Sequence, residues 1–207
     1  MEFLHKYGLI HRDIKPNNII INEHKFELKL IDFGISKRIH NSKTSTQTEK
    51  KGTLLYEAPE NFGDLNNTDQ GNADTNSSTK SNNKLSKVNI STKFDVWSFG
   101  LILNQIFGCE RPWNGLDSNR IMFNLSKKEE FPVSENIYNE DIKDLVRSCT
   151  IVEPKERMTI SEVKKVLKSV LVNRLVDLSK VNKVENLFIV SQQSLTFVTK
   201  IKSILCK

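Results

Sequence analysis

The sequence predicts a mainly helical fold of the α+β kind, with one small β-hairpin beside a polar loop. Three observations lead there. Ile19 to Ile21 is a β-branched run, and after a polar turn Phe26, Leu28 and Leu30 alternate with Glu27 and Lys29, the period of a half-buried strand. Between Lys93 and Phe107, the residues Phe94, Val96, Trp97, Phe99, Leu101, Ile102, Leu103, Ile106 and Phe107 fall all round a helix, as in a helix buried at a domain centre. Further on, helix start signals precede apolar positions that repeat every three and four residues.

Taken in order, Met1 to Leu9 reads as the last turns of a helix, apolar at Phe3 and Leu4 and stopped by Gly8. His11 to Asn18 is a polar loop. The hairpin follows, with Asn22 to Lys25 as its turn, and delivers the chain into Asp32. Ile35 to Lys51 is rich in Thr, Ser and Lys, shows no period and is expected to be a mobile loop. Residues 63–91 are crowded with Asn, Ser, Thr, Asp and Lys. Such a stretch buries too little apolar area to offset the entropy of ordering it, so a disordered surface insertion is expected. After the central helix come helices at about Asn119 to Leu125, at about Asn139 to Cys149 and from about Thr159. Glu162, three residues after Thr159, makes a capping box, and Val163, Val166, Leu167 and Val170 give that last helix an apolar face. Residues 1–170 read as one domain. Beyond them helix-like and strand-like signals mix, so 171–207 is a tail with no assigned role. No internal repeat is visible.

A chain of 207 residues has room for one domain and an appendage. Its 37% hydrophobic content is lean because the polar segment dilutes it. A net charge of +6 would permit binding to nucleic acid or an acidic membrane. The lysines, however, are scattered among acidic residues, as in Lys127-Lys128-Glu129-Glu130, which is the pattern of a solvated surface, and no nucleic-acid partner is expected. Cys109, Cys149 and Cys206 match no zinc spacing or disulfide framework, which points to a reducing compartment, cytoplasmic or nuclear. The N-terminus is unlike a signal peptide, and no apolar run approaches ~20 residues, so no membrane span is expected. The N-x-Ser/Thr matches at Asn66, Asn76, Asn89 and Asn124 are ascribed to chance in an Asn- and Ser-rich chain.

The polar loop reads His11-Arg12-Asp13-Ile14-Lys15-Pro16-Asn17-Asn18, and Asp32-Phe33-Gly34 follows the hairpin. Then come Gly52-Thr53-Leu54-Leu55-Tyr56-Glu57-Ala58-Pro59-Glu60, Asp95-Val96-Trp97-Ser98-Phe99-Gly100, and Arg157 after Glu153-Pro154. Singly these are weak signals: an isolated Asp13 is as readily a turn or helix cap, Asn18 a turn residue and Ile20 a core strand residue. Together, in this order and spacing, they resemble the C-terminal lobe of the eukaryotic protein kinases, with its motifs H-R-D-x-K-x-x-N, D-F-G, G-T-x-x-Y-x-A-P-E and D-x-W-S-x-G. Within that family Lys15 and Thr53 point to the serine/threonine type. The resemblance covers residues 1 to about 170 apart from the insertion.

The resemblance implies transfer of the γ-phosphate of ATP, with Mg2+, to hydroxyl groups of a protein substrate. Asp13 would accept the hydrogen bond of the hydroxyl and take its proton. Lys15 would stabilise the charge on the transferring phosphoryl group, and the Thr53 hydroxyl would bond Asp13 and Lys15. Asn18 and Asp32 would give oxygen ligands to Mg2+, Asp32 holding it against the β- and γ-phosphates. Ile20 would form the floor under adenine. His11 and Phe33 would stack toward an N-terminal lobe, and Gly34 would let the backbone turn sharply. Asp95 would begin the central helix, and Glu60 would pair with Arg157. Arg12 would pair with a phosphate placed on the activation loop by an upstream kinase. Thr44, Ser45, Thr46 and Thr48 are the candidates; Glu49 stands at the usual phosphosite, where it would mimic phosphate or leave that part to Thr48.

The family also has a Gly-rich loop, a strand lysine and its partner glutamate upstream of the catalytic loop, and none of these can be assigned here. The expectation is therefore a C-terminal lobe alone, a fragment that binds nucleotide poorly. Part of the apolar face from Trp97 to Leu103 should be uncovered, at ~1.5–3 kcal/mol per large side chain. Against a net stability of ~5–15 kcal/mol, that would leave the fold marginal. Two other readings stay open: a non-catalytic kinase-like (pseudokinase) interaction module and, more remotely, a small-molecule phosphotransferase, a class that generally lacks the A-P-E segment and the D-x-W-S-x-G helix.

Overall fold

The structure, a computed structural model, describes residues 1–22, 27–39, 53–62 and 91–181. Its elements are α1 (Glu2–Lys6), β1 (Leu9–Ile10), β2 (Ile19–Asn22), β3 (Glu27–Leu30), β4 (Lys37–Arg38), α2 (Lys93–Gly108), α3 (Ser118–Ser126), α4 (Glu140–Cys149) and α5 (Ile160–Val181). The fold is mainly helical with a small hairpin, as the patterning predicts. Strands β2 and β3 pair antiparallel, with Ile19 opposite Leu30 and Asn22 opposite Glu27. Phe26 and most of the hairpin turn, most of the segment 63–91, and residues 182–207 lie outside the described residues.

A second pairing departs from the sequence reading. Leu9 lies opposite Arg38 and Ile10 opposite Lys37, so β1 and β4 join two stretches read as helix end and polar loop. Two-residue strands carry no legible period. The pairing forms because Gly8, at φ +68°, turns the chain out of α1. The Gly8 carbonyl then accepts from Ile39 N at 2.7 Å.

The core centres on α2. Phe94, Val96, Trp97, Leu101, Ile102 and Leu103 are buried and Phe99 is half-buried, so the expected exposure of the Trp97 to Leu103 face is confined to Phe99. That face is covered in part by α4, which packs along α2, and by Arg157, whose guanidinium lies 5.1 Å over the Trp97 ring. The large apolar side chains left open are elsewhere, among them Phe3, Tyr7, Leu28 and Phe33. Gly100 permits the close crossing of α2 and α4. A Cβ there would sit 2.6 Å from the Cys149 Cβ and 3.0 Å from Thr150 Cγ2. Cys149 is buried at that crossing, and burial pushes its thiol up to about 12.

The later helices begin where the sequence signals them. Asp117 accepts from Arg120 N at 2.8 Å, and Asn139 accepts from Ile142 N at 2.9 Å. The Thr159 N–H and hydroxyl donate to Glu162 Oε2 at 2.6 and 2.7 Å, while Glu162 N donates back to Thr159 Oγ1 at 3.3 Å. Helix α5 continues to Val181, into the stretch read as a tail. Its first turn is tied to α1, where Glu2 accepts from Ser161 Oγ at 3.0 Å. No helix among the described residues is long and apolar enough to cross a membrane.

Two outcomes follow from this packing. Gly100→Ala is expected to lower stability by about 1–3 kcal/mol in chemical denaturation, since the obstacle is a Cβ on a packed helix and not a flexible side-chain tip. The Thr159 N–H, and then its hydroxyl, hold the Glu162 carboxyl below its ordinary value of 4.5. A depressed carboxyl stabilises the fold above its unfolded value, and that contribution is lost as pH falls through the folded value. Thermal melts between about pH 3 and 6 should therefore show a weaker pH dependence in Glu162→Gln than in the wild type.

Candidate active site

The loop from His11 to Asn18 takes its shape from Asp95, in the first turn of α2. Asp95 is fully buried, and a buried carboxylate needs its oxygens bonded. Oδ2 accepts from His11 N at 2.9 Å and from His5 Nε2 at 2.8 Å, and Oδ1 accepts from Arg12 N at 2.8 Å. Two successive backbone N–H groups converge on one carboxylate because the chain curls there, with Arg12 at φ +71°. That conformation costs a non-glycine residue roughly 1–2 kcal/mol, which hydrogen bonds to a charged acceptor can offset.

The buried His11 ring carries the curl onward. Its Nδ1 accepts from Asp13 N at 3.3 Å, and its Nε2 donates to Ile31 O at 2.9 Å, which places the ring proton on Nε2. Ile31 N in turn donates to Asn18 O at 2.9 Å. The residue after β3 is thus clamped between the two ends of the loop, and Asp32 follows it directly.

Asp13, Lys15, Asn18 and Thr53 form one cluster. Asp13 Oδ2 accepts from Asn18 Nδ2 at 2.9 Å and pairs with Lys15 Nζ at 2.7 Å. Asn18 Nδ2 also donates to Asp13 O at 2.8 Å, and Lys15 Nζ donates to Thr53 Oγ1 at 2.8 Å. Among the described residues Thr53 reaches Asp13 through Lys15, not by the direct bond the resemblance implies, because the ammonium lies between them.

Asp32 is exposed and itself adopts φ +60°. The sharp turn assigned to Gly34 therefore falls on Asp32, whose short side chain tolerates it by bonding local backbone, here Gly34 N at 3.2 Å. The missing side chain at Gly34 serves close approach instead, since a Cβ there would lie 3.1 Å from Asp32 Oδ1. Phe33 meets His11 edge-on, with ring centroids 4.8 Å apart. Ile20 is 51% exposed on β2 and so is not a core strand residue. Thr44, Ser45, Thr46, Thr48 and Glu49 lie outside the described residues.

Glu60 and Arg157 meet as a bidentate pair, at 2.9 Å from Nη1 and 3.1 Å from Nη2. Arg157 is 1% exposed, and all its donors are engaged. Nε bonds Ile151 O at 2.8 Å, Nη1 also bonds Lys93 O at 2.8 Å, and Nη2 also bonds Val152 O at 3.2 Å. The turn holding Glu60, the start of α2 and the chain leading into α5 are thereby fastened to one side chain. Other ties were not assigned from sequence. Ser98 Oγ donates to Tyr56 O at 2.7 Å, and the Tyr56 hydroxyl donates to Gln105 Oε1 at 2.5 Å. Burial pushes the Tyr56 phenol up to about 12. Tyr56 and Ser98 stand in the motif strings, which was their only signal; His5 had none.

A helical lobe that presents an Asp-Lys-Asn cluster on a loop anchored to its central helix, with a second Asp returned by a hairpin, has the architecture of a protein-kinase C-terminal lobe. Residues 1–167 match the family model of the protein kinase domain, and the chain belongs to that family. It is 32% identical over 168 residues to the dual specificity protein kinase TTK of Mus musculus, an alignment covering 79% of this chain and 18% of that protein. It is 34% identical over 163 residues to the serine/threonine-protein kinase cds1 of Schizosaccharomyces pombe, covering 77% of this chain and 31% of that protein. The chain thus spans less than a third of the length of either relative.

Arg157→Ala is expected to cost about 3–5 kcal/mol in chemical denaturation, because it strands the Glu60 carboxylate and three backbone carbonyls. Adding Glu60→Gln should cost less than the sum of the two single changes. Arg157→Lys should not restore the wild-type value, since a point charge cannot supply the planar fork.

Proposed function

We propose that this chain carries the catalytic lobe of a serine/threonine protein kinase, which transfers the γ-phosphoryl group of ATP to a hydroxyl of a protein substrate. The observation that carries the reading is the bonding of Asp13. Its Oδ2 is occupied by Lys15 and Asn18, which leaves Oδ1 for a third donor, the substrate hydroxyl. As the hydroxyl oxygen forms its bond to the γ-phosphorus and the bond to ADP breaks, Asp13 takes the proton. Lys15, held between Asp13 and Thr53, supplies fixed positive charge next to the phosphoryl group.

The residues present also fit a hard divalent cation. Asn18 commits its amide nitrogen to Asp13, which turns its amide oxygen away. The exposed Asp32 carboxylate has a single local bond, to Gly34 N. Oxygen donors of this kind suit Mg2+, which when bound would offset the charge of the phosphates. Ile20, exposed on β2, would lie under the adenine. Control by a phosphate at Thr44, Ser45, Thr46 or Thr48, or by Glu49 in its place, belongs to the same proposal, with an upstream kinase as the partner.

The test is phosphoryl transfer from labelled ATP to a protein acceptor and to small-molecule acceptors, using the natural full-length protein. Asp13→Asn is expected to slow transfer to protein by about a hundred- to ten-thousand-fold, with the variant still folded in a thermal melt. Asn18→Ala should raise the magnesium concentration needed for half-maximal rate. Equal rates for wild type and Asp13→Asn, or transfer to small molecules alone, would overturn the reading.

A further inference from the structure

Arg12 and Arg157 are both guanidinium groups at the foot of α2, and they are partnered very differently. Arg157 has every donor bonded. Among the described residues, Arg12 Nε is buried and without a hydrogen bond, and its Nη1 reaches only Ile35 O, at 3.4 Å. A guanidinium in that position needs a nearby negative charge. Among the described residues, the charged groups that face it are Glu57, Asp95 and Lys37. Lys37 repels it. Asp95 already takes three other hydrogen bonds, from His5 and from the backbone of His11 and Arg12. Glu57 remains. It is 7% exposed, and its Oε1 accepts from Asn61 Nδ2. Arg12 and Glu57 line one shallow cleft with Asp13, Thr53, Tyr56 and Ser98. Burial lowers the Arg12 value, and the charge of Glu57, ahead of that of Asp95, works against the lowering. Glu57 also stands at a variable position of G-T-x-x-Y-x-A-P-E, so the motif itself does not call for an acid there.

We infer that Glu57 is the internal counter-ion of Arg12, a positioning residue that holds the loop bearing Asp13 in its curl. Arg12 is then pinned twice, through its backbone N–H by Asp95 and through its side chain by the charge of Glu57. With Glu57 neutral, the guanidinium gains by moving to water, and residue 12 gains by leaving its left-handed conformation. Either movement displaces Asp13. The structural pairing stands without the proposed function; its effect on turnover rests on that function.

A double-mutant cycle on unfolding of the full chain tests the pairing. Glu57→Gln and Arg12→Gln are each expected to lower the unfolding stability. The double variant, with neither charge left stranded, should lose less than the worse single one, a coupling of about 5- to 100-fold in the equilibrium constant. Effects that multiply to within about twofold would overturn the inference. If Glu57→Gln does not fold, Arg12→Gln/Glu57→Gln should recover folding, and a double variant that is equally unfolded sinks the idea. In the full-length protein, Glu57→Gln should lower kcat while leaving KM for ATP unchanged, and Glu57→Asp should recover most of the rate. A folded Glu57→Gln with wild-type kcat would refute the positioning role. A wild type with no phosphoryl transfer refutes the proposed function instead, and the unfolding cycle still decides the pairing.

Discussion

Taking a carboxylate out of water costs several kcal/mol unless its oxygens find donors. At Asp95 the donors come from α1 and from two successive residues of the loop before β2. The first turn of α2 thereby dictates a backbone conformation that Arg12 would not adopt alone. The curl presents Asp13 N to the His11 ring, and that ring holds Ile31, which in turn holds Asn18. The contacts that join Asp13, Asn18 and Ile31 are downstream of that one buried charge.

Arg157 does the complementary work at the other side of α2. Its fork fastens three stretches that are remote in sequence, and its plane covers Trp97. Between the two charges, the close crossing at Gly100 sets how near α4 comes. The central helix is hydrophobic all round, so its packing alone would tolerate rotation and sliding. The charged ties have directional partners and do not. In this lobe apolar burial supplies the driving force, and two saturated ionic groups select the register in which it is used.

Much of this was legible in the sequence. The all-round apolar run from Phe94 to Phe107 announced the buried helix, alternation announced the hairpin, and Thr159 with Glu162 announced the start of α5. The Asp13, Lys15 and Asn18 cluster was legible because spacing within one loop is local information. The pairing of β1 with β4 was not, since two residues carry no period. Nor was the burial of Trp97, Leu101, Ile102 and Leu103, which depends on what a distant helix and Arg157 cover. The left-handed residue at the D-F-G turn is Asp32 and not Gly34, because the carboxylate can bond the backbone two residues on, a choice that composition does not reveal.

The sequence by itself determined the family, the helical class and the identity of the groups that can accept a proton, carry charge or bind a cation, because these are properties of residue types at short spacing. The tertiary structure decided which charges meet. It placed Lys15 between Asp13 and Thr53, committed Asp95 to His5 and two backbone donors, and gave Arg157 to Glu60. Those pairings join residues far apart in the chain, and their partners are chosen by desolvation in a shared interior, a quantity that exists only once the chain has folded.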